Sequence, residues 1–494
     1  MKYGSDNIVD AIYSGEKNGN PFLEAMPEIM STQEVIRRLA SFPKLPQDTK
    51  HITDEQREGL ISSLGDFFLP MPYMIYIYHK LHRAMLSSCR SLSAYQRIQK
   101  IDSFFNGRPV NFLTQPDNCA ILGVPGIGKT STIKRCLSLV PQVIRHHEYD
   151  SRPFECTQVT YIYIECPADC SLKTLCYEIL EAIDSCAGTN FLTKYTTGMS
   201  LSALATHIKR VVSSCNLSLI VIDEIQNAVD FANKSHRIKP LIKFLVELTN
   251  EVSSAICFVG TTSAELVFRQ EMHLMRRTRG YRLNAMKNDG AFYNFLKELW
   301  QYQYLERTAK LTNTMRKIFY QYSGGVPSYI VHLFQESQSQ ALLNNEKTLT
   351  EASVFKAAKI LNYVVPEPYV EGVSISDFEV KDFYIGNGMA TDIEDAEGIE
   401  NTENTAEVAA TTETTADTAN SNNAKKPEKS KQNKKAASAF PAIKKETNPP
   451  AAPKGRPVSD REVEDILQIY EDSNRTIPIP RALIEKDLVT VILC

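Results

Sequence analysis

The sequence has no apolar run near the ~18 residues that a membrane-crossing helix needs, so no span is expected. Its first residues, Met-Lys-Tyr-Gly-Ser-Asp, contain no apolar stretch, which argues against a secretory signal there. Neither charge is in excess. The 55 Lys and Arg against 58 Asp and Glu leave a net charge of −3, so any basic surface must be local. The 11 cysteines are scattered and odd in number. Cys166 and Cys170 are close, but no second pair or histidine cluster completes a zinc site. Free, mostly buried thiols in a reducing compartment are therefore expected. No repeat array is evident. With 43% hydrophobic and 23% charged residues the composition is that of a globular protein, and 494 residues suggest roughly two to four domains. A cytoplasmic protein with no membrane partner is the expectation.

What is present is concentrated between Cys119 and Ser131, which reads Cys-Ala-Ile-Leu-Gly-Val-Pro-Gly-Ile-Gly-Lys-Thr-Ser. Ala120 to Leu122 predicts a buried strand. The loop Gly123, Val124, Pro125, Gly126, Ile127, Gly128 leads into Lys129, Thr130, Ser131 and an apolar-periodic helix over 129–139. This is G-x-x-x-x-G-K-[ST] between a strand and a helix. Glycines let backbone N–H groups turn inward around phosphates, and the helix start adds its positive dipole end. Lys129 can reach β- and γ-phosphates, and the Thr130 hydroxyl can ligate Mg2+.

Leu219-Ile-Val-Ile-Asp-Glu224 is the second motif. Four consecutive apolar residues suit a strand buried on both faces of a parallel sheet, and two acids fall at its C-terminal end, where such sheets bind ligands. Asp223 would hold Mg2+ and Glu224 would polarise the attacking water. Further strands are expected over 159–165, 255–262 and 281–283, and helices over 171–183, 201–212, 240–252 and 263–274. Thr261, with Thr262 second, could contact a γ-phosphate or the lytic water. Arg276 and Arg277 lie beyond the last core helix, either as an arginine finger for a neighbouring subunit or as a surface cluster.

Helices are expected over 32–39, 51–68 and 73–86, the last strongly apolar. Asn20-Pro-Phe-Leu-Glu-Ala-Met-Pro27 reads as a docking segment, since Phe22, Leu23 and Met26 would otherwise be exposed. Four helices, 292–303, 313–322, 327–338 and 350–361, follow the α/β stretch, and Thr348-Leu-Thr-Glu351 resembles a capping box. Residues 390–423 are acidic and lack aromatics, and 425–445 are lysine-rich, which predicts a disordered linker. Helical spacing returns after Ser459.

These residues resemble an AAA+ ATPase, an α/β P-loop NTPase with a parallel-sheet core, helical lid, helical N-terminal extension and disordered C-terminal tether. More narrowly, Asn20 to Pro27, Pro141-Gln-Val-Ile-Arg-His-His147, Asp223-Glu-Ile-Gln226, Gly260-Thr-Thr262 and Arg276-Arg277 with Gly280 resemble the TnsC-type (TnsC/TniB-like) transposition ATPases of site-selective bacterial transposons. The expected division is 1–111 for the extension, 112–287 for the core, 288–365 for the lid, 366–457 for the linker and 458–494 for a partner-binding hook.

The resemblance implies ATP and Mg2+ as cofactors, a homo-oligomeric ring or filament on double-stranded DNA without strong sequence preference, and a DNA-associated bacterial location. It also implies a bridge from a target-selection protein (TnsD/TniQ-like) to transposase subunits (TnsA/TnsB-like), with hydrolysis driving disassembly. Lys129, Thr130, Asp223 and Glu224 match directly. Pro327 and Ser328 stand where many AAA+ lids carry a sensor arginine. Lys173 and Thr174, with Lys209 and Arg210 as alternatives, are the DNA-contact candidates; for each, a solvated helix face is the competing reading. A helicase loader or replication initiator, or a nucleotide-switched signalling scaffold, is the other function considered.

Overall fold

The N-terminal stretch alternates capped, one-faced helices with proline-marked turns, and its apolar faces point inward. The computed structural model describes residues 7–14, 19–45, 49–90, 116–251, 254–265, 268, 278–370, 372–381 and 383. Strand β1 (Ile8–Asp10) precedes α1 (Pro21–Glu24), α2 (Thr32–Leu39), α3 (Asp54–Ser62) and α4 (Pro72–Arg90). The Ser31 side chain accepts the Glu34 N–H to start α2, whose Val35, Ile36 and Leu39 are buried. A Thr53/Gln56 capping box starts α3. That helix stops at Ser62 and tightens into a 3-10 turn, Ser63–Asp66, shorter than the helix to 68 that the spacing suggested. Along α4, Tyr73, Ile77, Leu81, Ala84 and Met85 are almost fully buried against the core. Each large apolar side chain among them contributes about 1.5–3 kcal/mol through burial.

The core then runs β2 (Cys119–Gly123), α5 (Lys129–Leu137), β3 (Val143–Tyr149), β4 (Arg152–Val159), β5 (Tyr161–Glu165), α6 (Leu172–Ala187), α7 (Lys194–Thr197), α8 (Leu201–Ser214), β6 (Leu219–Asp223), α9 (Ile225–Lys234), α10 (Ile238–Glu251), β7 (Ala255–Gly260) and β8 (Tyr281–Asn284). The lid holds α11 (Gly290–Leu299), α12 (Asn313–Ser323), α13 (Pro327–Leu343) and α14 (Glu351–Leu361), and β9 (Val373–Ser374) follows. A six-stranded parallel sheet has the order β5-β6-β7-β2-β8-β9. The first core strand, β2, sits inside the sheet between β7 and β8. The strand order reverses there, and the crevice at such a switch point is where ligands bind. Every residue of β2, β6 and β7 is buried, which is why these strands read as unbroken apolar runs.

Three further features depart from the sequence reading. The expected strand 159–165 is divided: Val159 ends β4, while Thr160 donates its N–H to the Gln142 carbonyl and turns the chain into β5. β3 and β4 form a hairpin around Asp150 and Ser151, both at positive φ (54° and 61°). With β1 paired parallel to β3, this hairpin makes a separate three-stranded sheet. Second, the capping box of α14 is Thr350 with Ser353, two residues later than Thr348 with Glu351. Third, the linker drawn from 366 begins too early. β9 extends the core sheet through Leu283↔Val373 and Asn284↔Ser374, the Asn284 side chain brackets the Tyr369 backbone, and Phe378 packs on Tyr76 and Tyr281.

The N-terminal helices join core and lid. The Arg57 guanidinium donates to the Tyr304 carbonyl at 2.9 Å, and the Tyr304 hydroxyl donates to the Lys44 carbonyl at 2.7 Å. Among the described residues no helix is long and apolar enough to cross a membrane. The acidic and lysine-rich linker from 390, the hook at 458–494, and Arg276 and Arg277 lie outside the described residues.

Candidate active site

The phosphate loop is held open from three sides. A Cβ on Gly123 would stand 3.0 Å from the Leu283 carbonyl oxygen, and that oxygen accepts the Val124 N–H at 3.2 Å, so β8 presses on the loop's first residues. From α4, the buried Tyr73 hydroxyl donates to the Ile127 carbonyl at 2.9 Å. Gly126 and Gly128 have φ of 78° and 92°, the left-handed region that glycine adopts without strain. The N–H groups of Gly126, Ile127 and Gly128 donate to no other group among the described residues. Gly128 caps the N-terminus of α5, where the first N–H groups have no intrahelical partner. Unclaimed N–H groups at a helix start fit the phosphates of a nucleotide.

Lys129 is 7% exposed and folds back on the loop, donating from Nζ to the carbonyls of Gly123 (2.9 Å) and Val124 (3.1 Å). Burial lowers its ammonium to about 8, against the opposing pull of the Asp223 and Glu224 carboxylates. An anionic phosphate beside Nζ would relieve that cost of burial.

β6 delivers the acids to the same edge. Asp223 is fully buried and collects three donors. Thr130 Oγ1 and the Tyr163 hydroxyl both donate to its Oδ2, at 2.7 and 2.6 Å, and the Glu224 N–H donates to its Oδ1 at 2.8 Å. The two residues expected to hold a metal are thus in direct contact, and an oxygen-only pair suits a hard divalent cation. Tyr163, on β5, is a participant that the sequence reading missed. Burial first, and then its bond to Asp223, push its phenol up. Lys134 lies 4.7 Å above its ring. No alternation along β5 marks it, because Tyr161, Ile162 and Ile164 are all buried around it. Glu224 adopts φ 53°, ψ 36°, a strained position for a non-glycine residue, and begins α9 without a side-chain cap. Its carboxylate accepts from Gln226 Nε2.

Thr261 donates its N–H to Gln226 Oε1 at 3.1 Å, and its hydroxyl meets Ser263 at 3.0 Å; Thr262 opens a 3-10 turn. The lid touches the loop through main chain: the Ser328 N–H donates to the Gly126 carbonyl at 3.3 Å. A Cβ on Gly126 would stand 2.5 Å from Ser328 Oγ and 2.9 Å from Val326 Cγ1, so α13 approaches the loop more closely than any side chain at 126 would allow.

The DNA-contact candidates separate. Lys173 is exposed in the first turn of α6, while Thr174 is engaged with the cap residue Ser171 at 2.8 Å. Lys209 is half-buried and burial lowers its ammonium, with Glu247 opposing. Both Lys209 and Arg210 have partners, and Arg210 is exposed. Lys173 shares the wall of a cavity of about 230 Å³ with Arg237, over an apolar floor that includes Leu201, Phe231 and Leu241. Arg237 belongs to the turn Lys234-Ser-His-Arg-Ile-Lys239, which the sequence reading passed over; Lys234, His236, Arg237 and Lys239 are all exposed.

Residues 113–268 match the family model of an AAA domain. No curated protein matches the chain. Among solved structures the chain is similar to the Aeropyrum pernix ORC1 protein in complex with DNA, at 12% identity over 57% of this chain and 64% of that chain, TM-score 0.34. It is also similar to the Aeropyrum pernix ORC2 protein in its ADP form, at 16% identity over 54% and 66%, TM-score 0.34. A third similarity is to the Thermotoga maritima RuvB Holliday junction branch migration motor, at 13% identity over 55% and 70%, TM-score 0.27. At such scores these likenesses carry no argument. The strand order, the phosphate loop with its acidic pair, and the domain match make residues 113–268 an AAA-type P-loop ATPase domain.

Proposed function

We propose that the chain is an ATP-dependent regulator of transposition that oligomerises on double-stranded DNA and bridges a target-selection protein to the transposase. Gly123 to Ser131 would cradle the phosphates, Lys129 would hold the β- and γ-phosphates, and Thr130 with Asp223 would hold Mg2+. The ion supplies charge neutralisation and orientation of the phosphate oxygens. Glu224 would polarise the attacking water, and Arg276 or Arg277 would serve as the arginine finger for a neighbouring subunit.

The observation that carries the finer reading is the meeting of two segments singled out for their resemblance. Phe22, within Asn20 to Pro27, packs edge-on against His146, within Pro141 to His147, with ring centroids 5.4 Å apart. The two motifs thus act as one packed unit. Lys173 and Arg237 are the best placed to meet phosphates, because they are exposed cations on the wall of one cavity.

Electron microscopy of the full chain with duplex DNA, Mg2+ and a non-hydrolysable ATP analogue tests this. Ordered assemblies on DNA are expected with nucleotide and not without it. Glu224→Gln should lock the assembly in the presence of ATP. Deleting 458–494 should spare ATPase activity and DNA binding while losing capture of transposase subunits. Absence of any nucleotide-dependent assembly on DNA would overturn the reading. Assembly on DNA without transposase capture by the full chain would favour an initiator-like ATPase.

A further inference from the structure

We infer that Gln226 is a positioning residue whose side-chain amide braces Glu224 against the end of β7. The inference rests on the reading of Glu224 as the group that polarises water. Gln226 is 8% exposed and sits one residue into α9, between the acidic pair and the strand end that carries Thr261.

Its orientation is fixed by its partners. The Thr261 N–H can only donate, so the amide oxygen faces it, at 3.1 Å. The amide nitrogen then faces the Glu224 carboxylate and donates to Oε2. One planar group therefore carries both bonds, and neither end can shift without the other.

Two further observations show that room was kept for this arrangement. A Cβ on Gly260 would stand 2.6 Å from Gln226 Oε1 and 2.9 Å from Ile225 Cγ2, so only glycine admits the amide there. Glu224 also holds a left-handed backbone, φ 53°, and strain of this kind persists only where surrounding contacts over-determine it. A bond to Oε2 leaves the second carboxylate oxygen to accept a proton from water. Movement at Thr261, the position expected to sense a γ-phosphate, reaches Glu224 through the amide.

The test uses the full chain with Mg2+ and ATP. Gln226→Met keeps the volume and removes both bonds; Gln226→Glu keeps the acceptor for Thr261 but opposes two carboxylates. Gln226→Met should lower kcat about tenfold, the scale of a direct side-chain coupling, with Gln226→Glu lower still and KM for ATP within twofold of wild type. Gly260→Ala should lower kcat in the same way by displacing the amide. The decisive measurement is single-turnover hydrolysis in the Glu224→Gln background, where Gln226→Met should cause no further loss. A role confined to packing would lower the rate equally in both backgrounds and would overturn the inference, as would unchanged kcat in Gln226→Met. A wild-type chain that turns over no ATP would remove the reading of Glu224 and this inference together, which a silent variant of an active chain would not.

Discussion

The molecule contains two sheets built on different physics. In the six-stranded sheet, β2, β6 and β7 are buried on both faces, and β6 ends in Asp223, whose carboxylate meets Thr130 of α5 and Tyr163 of β5. In the three-stranded sheet the polar groups lie inside the packing. The Tyr13 hydroxyl meets His146 Nδ1 at 2.8 Å, His146 Nε2 meets Gln158 Oε1 at 3.0 Å, and Gln158 Nε2 donates to the Phe22 carbonyl at 3.0 Å. The Tyr149 hydroxyl donates to Glu24 at 3.0 Å, and the Asn20 side chain donates to the Cys89 carbonyl at 2.8 Å. One sheet is an apolar platform with chemistry at its rim. The other is a polar strap that ties the first described residues to the hairpin, and its hydrogen bonds serve attachment. The contrast suggests that catalysis and N-terminal docking can be damaged separately.

The largest effect should come from Lys129→Ala. Removing the buried cation should lower ATP turnover about 10³-fold, the scale of losing one preorganised electrostatic contact. It should leave the thermal midpoint of unfolding unchanged or higher, because burial of that ammonium is unfavourable in the nucleotide-free chain. ATPase assay and calorimetry on one preparation check both halves. Phe22→Ala should do the reverse. It empties a nearly buried site against His146 and Phe154 and should destabilise the chain by about 3 kcal/mol. KM for ATP should be unchanged. A raised KM in Phe22→Ala would break the separation of the two sheets.

The same contrast governs what could be read in advance. The platform was legible because its strands are apolar on both faces and end in motifs whose chemistry demands particular residues, Lys129, Thr130, Asp223 and Glu224. The strap was not. Its pairing joins Ile8–Asp10 to Val143–Arg145 across more than 130 residues, and no local pattern announces such a partner. Asp150 and Ser151 at positive φ are a weak hairpin signal without a glycine. The docking quality of Asn20 to Pro27 was legible from Phe22, Leu23 and Met26, but the surface it meets is the chain's own hairpin. β9 was hidden for a related reason: two residues, Val373 and Ser374, complete the sheet from beyond the lid. Gln226 was marked only as part of Asp223 to Gln226, and Tyr163 not at all, because the bonds to Thr261 and to Asp223 join elements distant in sequence.

A smaller effect is expected from Tyr163→Phe, which sharpens the account of the rim. The phenol is one of three donors on Asp223, and its loss leaves Thr130 and the Glu224 N–H in place. A hydrogen bond to a charged group contributes about 1.5–3 kcal/mol. KM for Mg-ATP should therefore rise about tenfold, with kcat changed far less. A fall in kcat at constant KM would mean that Tyr163 acts on the attacking water.

The smallest effect separates two neighbours on β3. His146 is buried, and burial holds its imidazolium below the usual histidine value, against the opposing Gln158 bond. The Gln158 amide nitrogen is committed to Phe22, so its oxygen accepts from His146 Nε2–H, and Nδ1 accepts from Tyr13. Protonating Nδ1 would remove that acceptor. His147 is exposed between Glu155 and Asp10, and those carboxylates raise its value. The two side chains therefore act on stability in opposite senses. For His146 the unfolded chain binds the proton first, so its contribution is present above about pH 6.5 and is lost as pH falls through the depressed native value. For His147 the folded chain binds first, so its contribution is complete below about pH 6.5 and is lost as pH rises through the raised native value. Thermal midpoints from pH 5 to 8 should show a weaker acid loss in His146→Gln than in wild type. In His147→Gln the midpoint should be lower near pH 6 and converge on wild type by pH 8. Parallel curves for all three chains would mean that the strap is not held by these two side chains, and the polar account of the small sheet would fail.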